Sequence, residues 1–149
     1  MRLLITGSRI WDDYKYIHAT LKVFGEQHAD EVITLVSGEC PNGADRLCEI
    51  AAAELGWEVE LHPANWEQFG KRAGFVRNEQ MVLTEPDFCL GFIRNNSKGG
   101  AMTVKLAADA GIPTVSHLWT ENPAKQIISK SYNMTVPTTG VEPLSLFDM

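Results

Sequence analysis

Short apolar runs rich in Val, Ile and Leu alternate along this chain with segments whose apolar residues recur at helical spacing. Residues 3–6, 32–36, 59–61, 88–93 and 114–118 have the length and side-chain type of buried strands. Between them, Ile17, Leu21 and Phe24 share a helical face, as do Leu47, Ile50, Ala51 and Leu55, and again Val104, Ala107 and Ala108. A weaker helical pattern over 66–84 carries Phe69, Val76, Gln80 and Leu83 and is interrupted by Gly70 and Gly74. Gly56 and Gly111 stand where a left-handed helix end is expected, and Pro113 then forces extended chain. Strand and helix alternate about five times, which predicts an α/β fold. The expected form is a Rossmann-like three-layer sandwich with an open, mainly parallel sheet of about five strands. Residues 1–119 read as that domain. Residues 120–149, with Pro123, Pro137 and Pro143 among many Thr and Ser, read as a C-terminal arm or tail.

The chain has 149 residues, enough for one domain with its own core, and no apolar run approaches the ~20 residues of a membrane span. The first residues, Met1 to Gly7, are too short in their apolar part for a signal peptide and read as a first strand. Cys40, Cys48 and Cys89 are odd in number and unpaired in spacing, so reduced thiols in a cytoplasmic protein are expected. The net charge of −6 counts against a nucleic-acid surface but not against a small anion, which needs only a local positive pocket.

In an open parallel sheet, ligands bind beyond the carboxyl ends of the strands, so the chemistry is expected in the loops that follow them. The first strand ends in Gly7, Ser8 and Arg9. The second ends in "SGECPNGADR", residues 37–46, where Ser37 and Gly38 follow the strand and Gly43, Ala44 and Asp45 open a helix. Asp45 fits a helix-stabilising carboxylate, and equally one that accepts a ligand hydroxyl or orients Arg9. The third strand leads into "HPANW", residues 62–66, and then "GKRAGFVRN", residues 70–78, where Arg77 and Asn78 offer planar donors suited to phosphate. The fourth ends in "LGFIRNNSKGGAMTVKL", residues 90–106. There Gly99 and Gly100 allow close backbone approach to an anion, a helix expected to begin near Ala101 aims its positive end at the same place, and Ser97 precedes them. Thr103 would add a hydroxyl in the first turn, and Lys98 or Arg94 a mobile cation. The same loop is also compatible with a plain helix start whose glycines serve a tight turn.

The sequence has no GxxxxGK[ST], no GxGxxG after the first strand and no GxSxG, and its four histidines have no metal-ligand spacing. No cofactor and no metal is expected.

"GSR", "SGxCPxGADR", "HPANW", "GKRAGFVRN" and "NNSKGGAMTVKLAADAGIPT" together resemble the YspA-like, DUF2493 family of the SLOG superfamily over residues 1–118. That superfamily also holds the lonely-guy phosphoribohydrolases and the Rossmann-like domain of DprA. The resemblance implies a nucleotide or ADP-ribose-like ligand. Its site would comprise Gly7, Ser8, Arg9, Ser37, Gly38, Gly43, Asp45, Arg77 and Asn78, with Ser97, Lys98, Gly99, Gly100 and Thr103 on phosphate. It also implies a homo-oligomer. The lonely-guy motif PGGxGTxxE is not kept: Met102 replaces a glycine and Leu106 its glutamate, and an aliphatic group cannot act as an acid. Asn65 stands where the family often has Asp. A hydrolase of nucleotide N-glycosidic or phosphoribosyl bonds would have to use Asp45, Glu39 or Glu79, with Arg9 and Arg77 assisting.

The sequence thus supports a small-ligand binder acting as sensor or carrier, with such a hydrolase as the alternative. A third reading is a DNA-processing adaptor. Its only support is "EPLSLFDM", residues 142–149, which is similar to a sliding-clamp-binding peptide through Leu144, Leu146 and Phe147.

Overall fold

The computed structural model describes residues 1–134. One six-stranded sheet runs through it in the order β3-β2-β1-β4-β5-β6, built from β1 (Arg2–Gly7), β2 (Thr34–Ser37), β3 (Glu58–Leu61), β4 (Phe88–Arg94), β5 (Thr114–Thr120) and β6 (Gln126–Tyr132). The first five are parallel, and β6 adds antiparallel to β5. The helices are α1 (Tyr14–Gln27), α2 (Ala44–Glu54), the single turn α3 (Trp66–Phe69), α4 (Ala73–Leu83) and α5 (Lys98–Asp109). The α/β architecture and the parallel sheet agree with the sequence expectation. The strand number does not, because β6 arises within the stretch read as an arm. The clamp-like segment 142–149 lies outside the described residues.

The layers follow from which side chains each strand sends to each face. Leu3, Ile5, Leu35 and Leu90 pack with Ile17, Leu21 and Phe24 of α1 and Ala44, Cys48, Ala51 and Ala52 of α2. Leu4, Val36 and Cys89, the alternate positions, pack with Met81 and Val82 of α4 and with Ala107 of α5. Strands buried on both faces explain the continuous apolar runs of β1 and β4. Both glycine helix ends form as expected. Trp57 and Gly56 N–H donate to the Ala52 and Ala53 carbonyls, and Ile112 and Gly111 N–H repeat the pattern on Ala107 and Ala108.

Strand β6 escaped notice because its inward positions are not all apolar. Ile127 packs on the core, but the next inward residue, Ser129, faces His117 with Oγ 3.0 Å from Nδ1. His117 is fully buried, stacked on Phe92 at 5.1 Å, with Tyr16 Oη 2.7 Å from Nδ1.

β1 and β4 are sequence-distant neighbours, and the chain departs from them in opposite directions. Helices α1 and α2 cover one face, with Tyr16 and Phe24 of α1 packed on Phe88, Phe92 and His117 of β4 and β5, and α4 and α5 cover the other. The crevice at their carboxyl ends is where such a sheet binds ligands. Among the described residues no helix is long and apolar enough to cross a membrane.

Two stability measurements check this packing. A Cβ on Gly7 would lie 2.2 Å from the Phe92 carbonyl oxygen and 2.6 Å from Ala44 Cβ. Gly7→Ala is therefore expected to cost about 1–3 kcal/mol or more in urea unfolding, since backbone cannot step aside cheaply. Burial pushes the His117 imidazole from 6.5 down to about 3, so it stays neutral in the fold while the unfolded chain protonates near 6.5. Its contribution is then complete above 6.5 and lost as pH falls towards 3. The expected slope is up to about 1.4 kcal/mol per pH unit, and His117→Phe should flatten it between pH 6 and 4 (roughly the window between the two values).

Candidate functional site: a cavity at the β1–β4 crevice

A cavity of about 430 Å³ opens at this crevice. Its lining draws on five separate stretches: Ile5 to Gly7 with Arg9 and Ile10; Cys40 and Asp45; Trp66; Lys71 to Met81 in part; and Arg94, Asn95, Ser97, Gly99 and Gly100. Arg9, Asp45, Arg77 and Gly100, far apart in sequence, thus face one space.

The wall on the α5 side is a helix start made for close approach. Ser97 precedes α5 without giving it a side-chain cap, so among the described residues its first N–H groups carry no capping side chain. The helix begins at Lys98, three residues earlier than the sequence suggested, which places both Gly99 and Gly100 in its first turn. A Cβ on Gly100 would sit 3.1 Å from Gly7 Cα, so two glycines let this helix end press onto the end of β1. Around Gly99 a Cβ would meet nothing. Asn95 and Asn96 make the preceding turn with φ of 53° and 55°, a conformation that asparagine tolerates.

The floor is Arg77. It is 7% exposed, and its guanidinium donates to the Gly38 carbonyl through Nη1, to Asn78 Oδ1 at 2.7 Å through Nε, and more weakly to the His62 carbonyl at 3.5 Å. It therefore ties α4 to the loops after β2 and β3. Gly38 has no side chain because the guanidinium fills that place: a Cβ there would lie 2.7 Å from Arg77 Nη1. Among the described residues Arg77 makes no ion pair within 4 Å, so its charge is satisfied by dipoles and not cancelled. Asn78, its oxygen committed to Arg77, also lines the cavity.

Asp45 faces the same space from the first turn of α2. Its carboxylate accepts from Cys40 N–H at 3.2 Å. Burial raises its pKa above the usual carboxylate value, against the pull of the Cys40 hydrogen bonds, Arg77 and Arg9. Burial also raises the thiol of half-buried Cys40, and Asp45 adds to that.

The other expected site residues divide by what holds them. Ser8 is buried, and its Oγ accepts from Arg94 N–H at 2.8 Å, clamping the ends of β1 and β4 together. Ser37 Oγ donates to Glu49 at 2.8 Å and accepts from Glu39 N–H. Gly43 has φ of 75° and packs on the Ser8–Arg9 backbone, in the lining of a more open depression that Arg9 also lines. Thr103 lies beyond the first turn, fully buried, with Oγ1 donating to the Gly99 carbonyl at 3.1 Å. None of these four, nor exposed Glu39 and Lys98, is part of the cavity lining. Arg94 does line it, but it is not a mobile cation. It pairs with Asp12 at 3.0 Å and with Glu121, and lies 4.0 Å over the Trp119 ring. The free positive charge at the cavity therefore comes from Arg9 and Lys71, with Arg77 beneath.

Sequence reasoning overlooked Trp66, Phe75, Ile10 and Cys40, all in the lining. The available signal was position: two aromatics inside the motifs "HPANW" and "GKRAGFVRN", flanked by polar residues and glycine, off any apolar stripe.

Residues 1–69 match the YspA, cpYpsA-related SLOG family. The Gene 61 protein of Mycobacterium phage D29 is 37% identical over 120 residues, a match covering 77% of this chain and 94% of the phage protein. The chain belongs to the YspA, cpYpsA-related SLOG family. Membership carries a nucleotide-related function at the level of the family. The SLOG family match ends within α3, so it includes Arg9, Asp45 and Trp66 but not Arg77 or the start of α5. Among the described residues of this SLOG protein, no group of three or more His, Cys, Asp or Glu could hold a metal ion.

Removing the Arg77 guanidinium strands the Gly38 carbonyl and Asn78 Oδ1. Arg77→Met is expected to lose about 2–4 kcal/mol in urea unfolding. In carboxyl-detected NMR titration it should also raise the Asp45 pKa further, because one of the charges holding it down is gone.

Proposed function

We propose that the cavity binds a nucleotide or a nucleotide sugar of the ADP-ribose kind, and that the protein serves as a sensor or carrier of it. The observation that supports this most is the junction of an uncapped α5 N-terminus with unneutralised cations in one crevice of an otherwise acidic chain. A helix end offers oriented N–H groups and a positive partial charge, which suit phosphate. Arg9 and Lys71, both exposed at the cavity, add charge and form no ion pair within 4 Å among the described residues. Ser8, Ser37 and Thr103 support the walls, and Gly7, Arg9, Asn78, Ser97, Gly99 and Gly100 meet the ligand.

A second reading, hydrolysis of the N-glycosidic or phosphoribosyl bond, is favoured by Asp45. A carboxyl whose pKa is raised by burial, and which lines a ligand cavity, is suited to general acid work. Among the described residues it stands alone there, with no second carboxylate in the cavity lining, whereas glycoside hydrolysis ordinarily employs two.

Thermal unfolding and product analysis separate these. AMP or ADP-ribose should raise Tm, with adenosine doing so far less. Arg9→Ala should weaken AMP binding about tenfold or more. Nucleotide recovered intact supports the binder, whereas release of free base that disappears in Asp45→Asn supports the hydrolase. No Tm change with any of these ligands overturns both.

A further inference from the structure

Of the eight large hydrophobic side chains that the described residues leave exposed, three line this cavity, and they include both aromatic ones, Trp66 and Phe75. Trp66 is 53% exposed and Phe75 48%, while Trp11, Phe24 and Phe92 are buried in ring-to-ring contacts of the core. A half-exposed indole forgoes much of the free energy its burial would release, which is the usual condition of an aromatic waiting for a partner.

Both rings are held by rigid backbone. Trp66 opens α3, whose start is capped by Asn65: Oδ1 accepts from Gln68 N–H at 3.0 Å, and Phe69 N–H donates to the Asn65 carbonyl at 3.0 Å. The indole then lies against α4 at Gly74. A Cβ on Gly74 would be 3.9 Å from Trp66 Cη2 and also 3.9 Å from Arg77 Nη2. One point on α4 thus adjoins both the indole and the buried guanidinium. Phe75 follows directly, on the same helix. The planar apolar wall and the cationic floor are contiguous, and the α5 N-terminus lines the same cavity.

We infer that Trp66 and Phe75 form a stacking subsite for a nucleobase, so that the cavity selects purine over pyrimidine nucleotides and both over sugar phosphates lacking a base. This rests on the phosphate-cradle reading above and adds to it the class of group at the other end of the ligand. Stacking on an aromatic face scales with ring area, so the larger purine gains most, and any base gains something because each has a π-face. A phosphate on the helix end and a base on the indole would span the cavity from α5 to α3.

Isothermal titration of the full chain with AMP, CMP and ribose 5-phosphate tests this. The expected order of affinity is AMP, then CMP, then ribose 5-phosphate. Trp66→Ala should weaken AMP roughly 5- to 150-fold, towards the value for ribose 5-phosphate, and leave ribose 5-phosphate itself unchanged. Phe75→Ala should act in the same direction, and Trp66→Phe should keep most of the affinity. Both side chains are exposed, and unchanged urea midpoints verify that the variants fold. If ribose 5-phosphate binds as tightly as AMP, or if Trp66→Ala and Phe75→Ala leave AMP untouched, the stacking subsite is wrong while the phosphate cradle stands. If none of the three ligands binds the native protein, the cradle is wrong and the subsite goes with it.

Discussion

Strand β1 ends on a residue with no room for a side chain. At Gly7 the Phe92 carbonyl of β4 and the Ala44 methyl of α2 approach closer than a Cβ would allow, and a Cβ on Gly100 of α5 would in turn lie 3.1 Å from Gly7 Cα. Two helices from opposite faces of the sheet therefore begin within contact of one strand end. Ser8 holds the same corner from the next position, its N–H donating to the Phe92 carbonyl and its hydroxyl accepting from Arg94. The crevice exists because the helices approach this closely, and its backbone N–H groups are accessible because the residues at the approach are glycine.

Charge is distributed around that corner in a way that decides which residues can serve a ligand. Arg94 is spoken for by Asp12, Glu121 and the Trp119 ring, and little of its field remains. Arg77 is buried yet bonded mainly to carbonyl dipoles and an amide, so its structural task leaves its positive potential in place. Asp45 is the counterweight. It lies close enough to Arg77 and Arg9 for both to lower its pKa, but burial outweighs them. A cavity floor of this kind attracts an anion without needing an excess of basic residues in the whole chain.

The strand-end loops were legible in the sequence because each carries punctuation that physics reserves for turns and helix starts: Gly7, Gly38, Gly43, Gly99 and Gly100. Division of labour within those loops was not. Ser8, Ser37 and Thr103 look like ligand hydroxyls until hydrogen-bond partners are known, and each proves to hold backbone or a carboxylate. Trp66 and Phe75 went the other way. Aromatic residues default to core, and only their exposure beside a cavity reveals otherwise. Strand β6 was hidden because Ser129 occupies an inward position, a choice that makes sense only once His117 stands opposite.

Local pattern by itself determined the alternation of strands and helices, the parallel sheet and both Schellman helix ends, since periodicity, β-branching and glycine conformations act over a few residues. It also determined that the strand-end loops would be polar and glycine-rich. Only the tertiary structure decided that five of these stretches share one cavity, that Arg94 is neutralised and Arg77 is not, and that two aromatic rings stay uncovered. Those outcomes depend on contacts between residues tens of positions apart, such as Arg77 with Gly38 and Gly7 with Gly100, which no local pattern encodes.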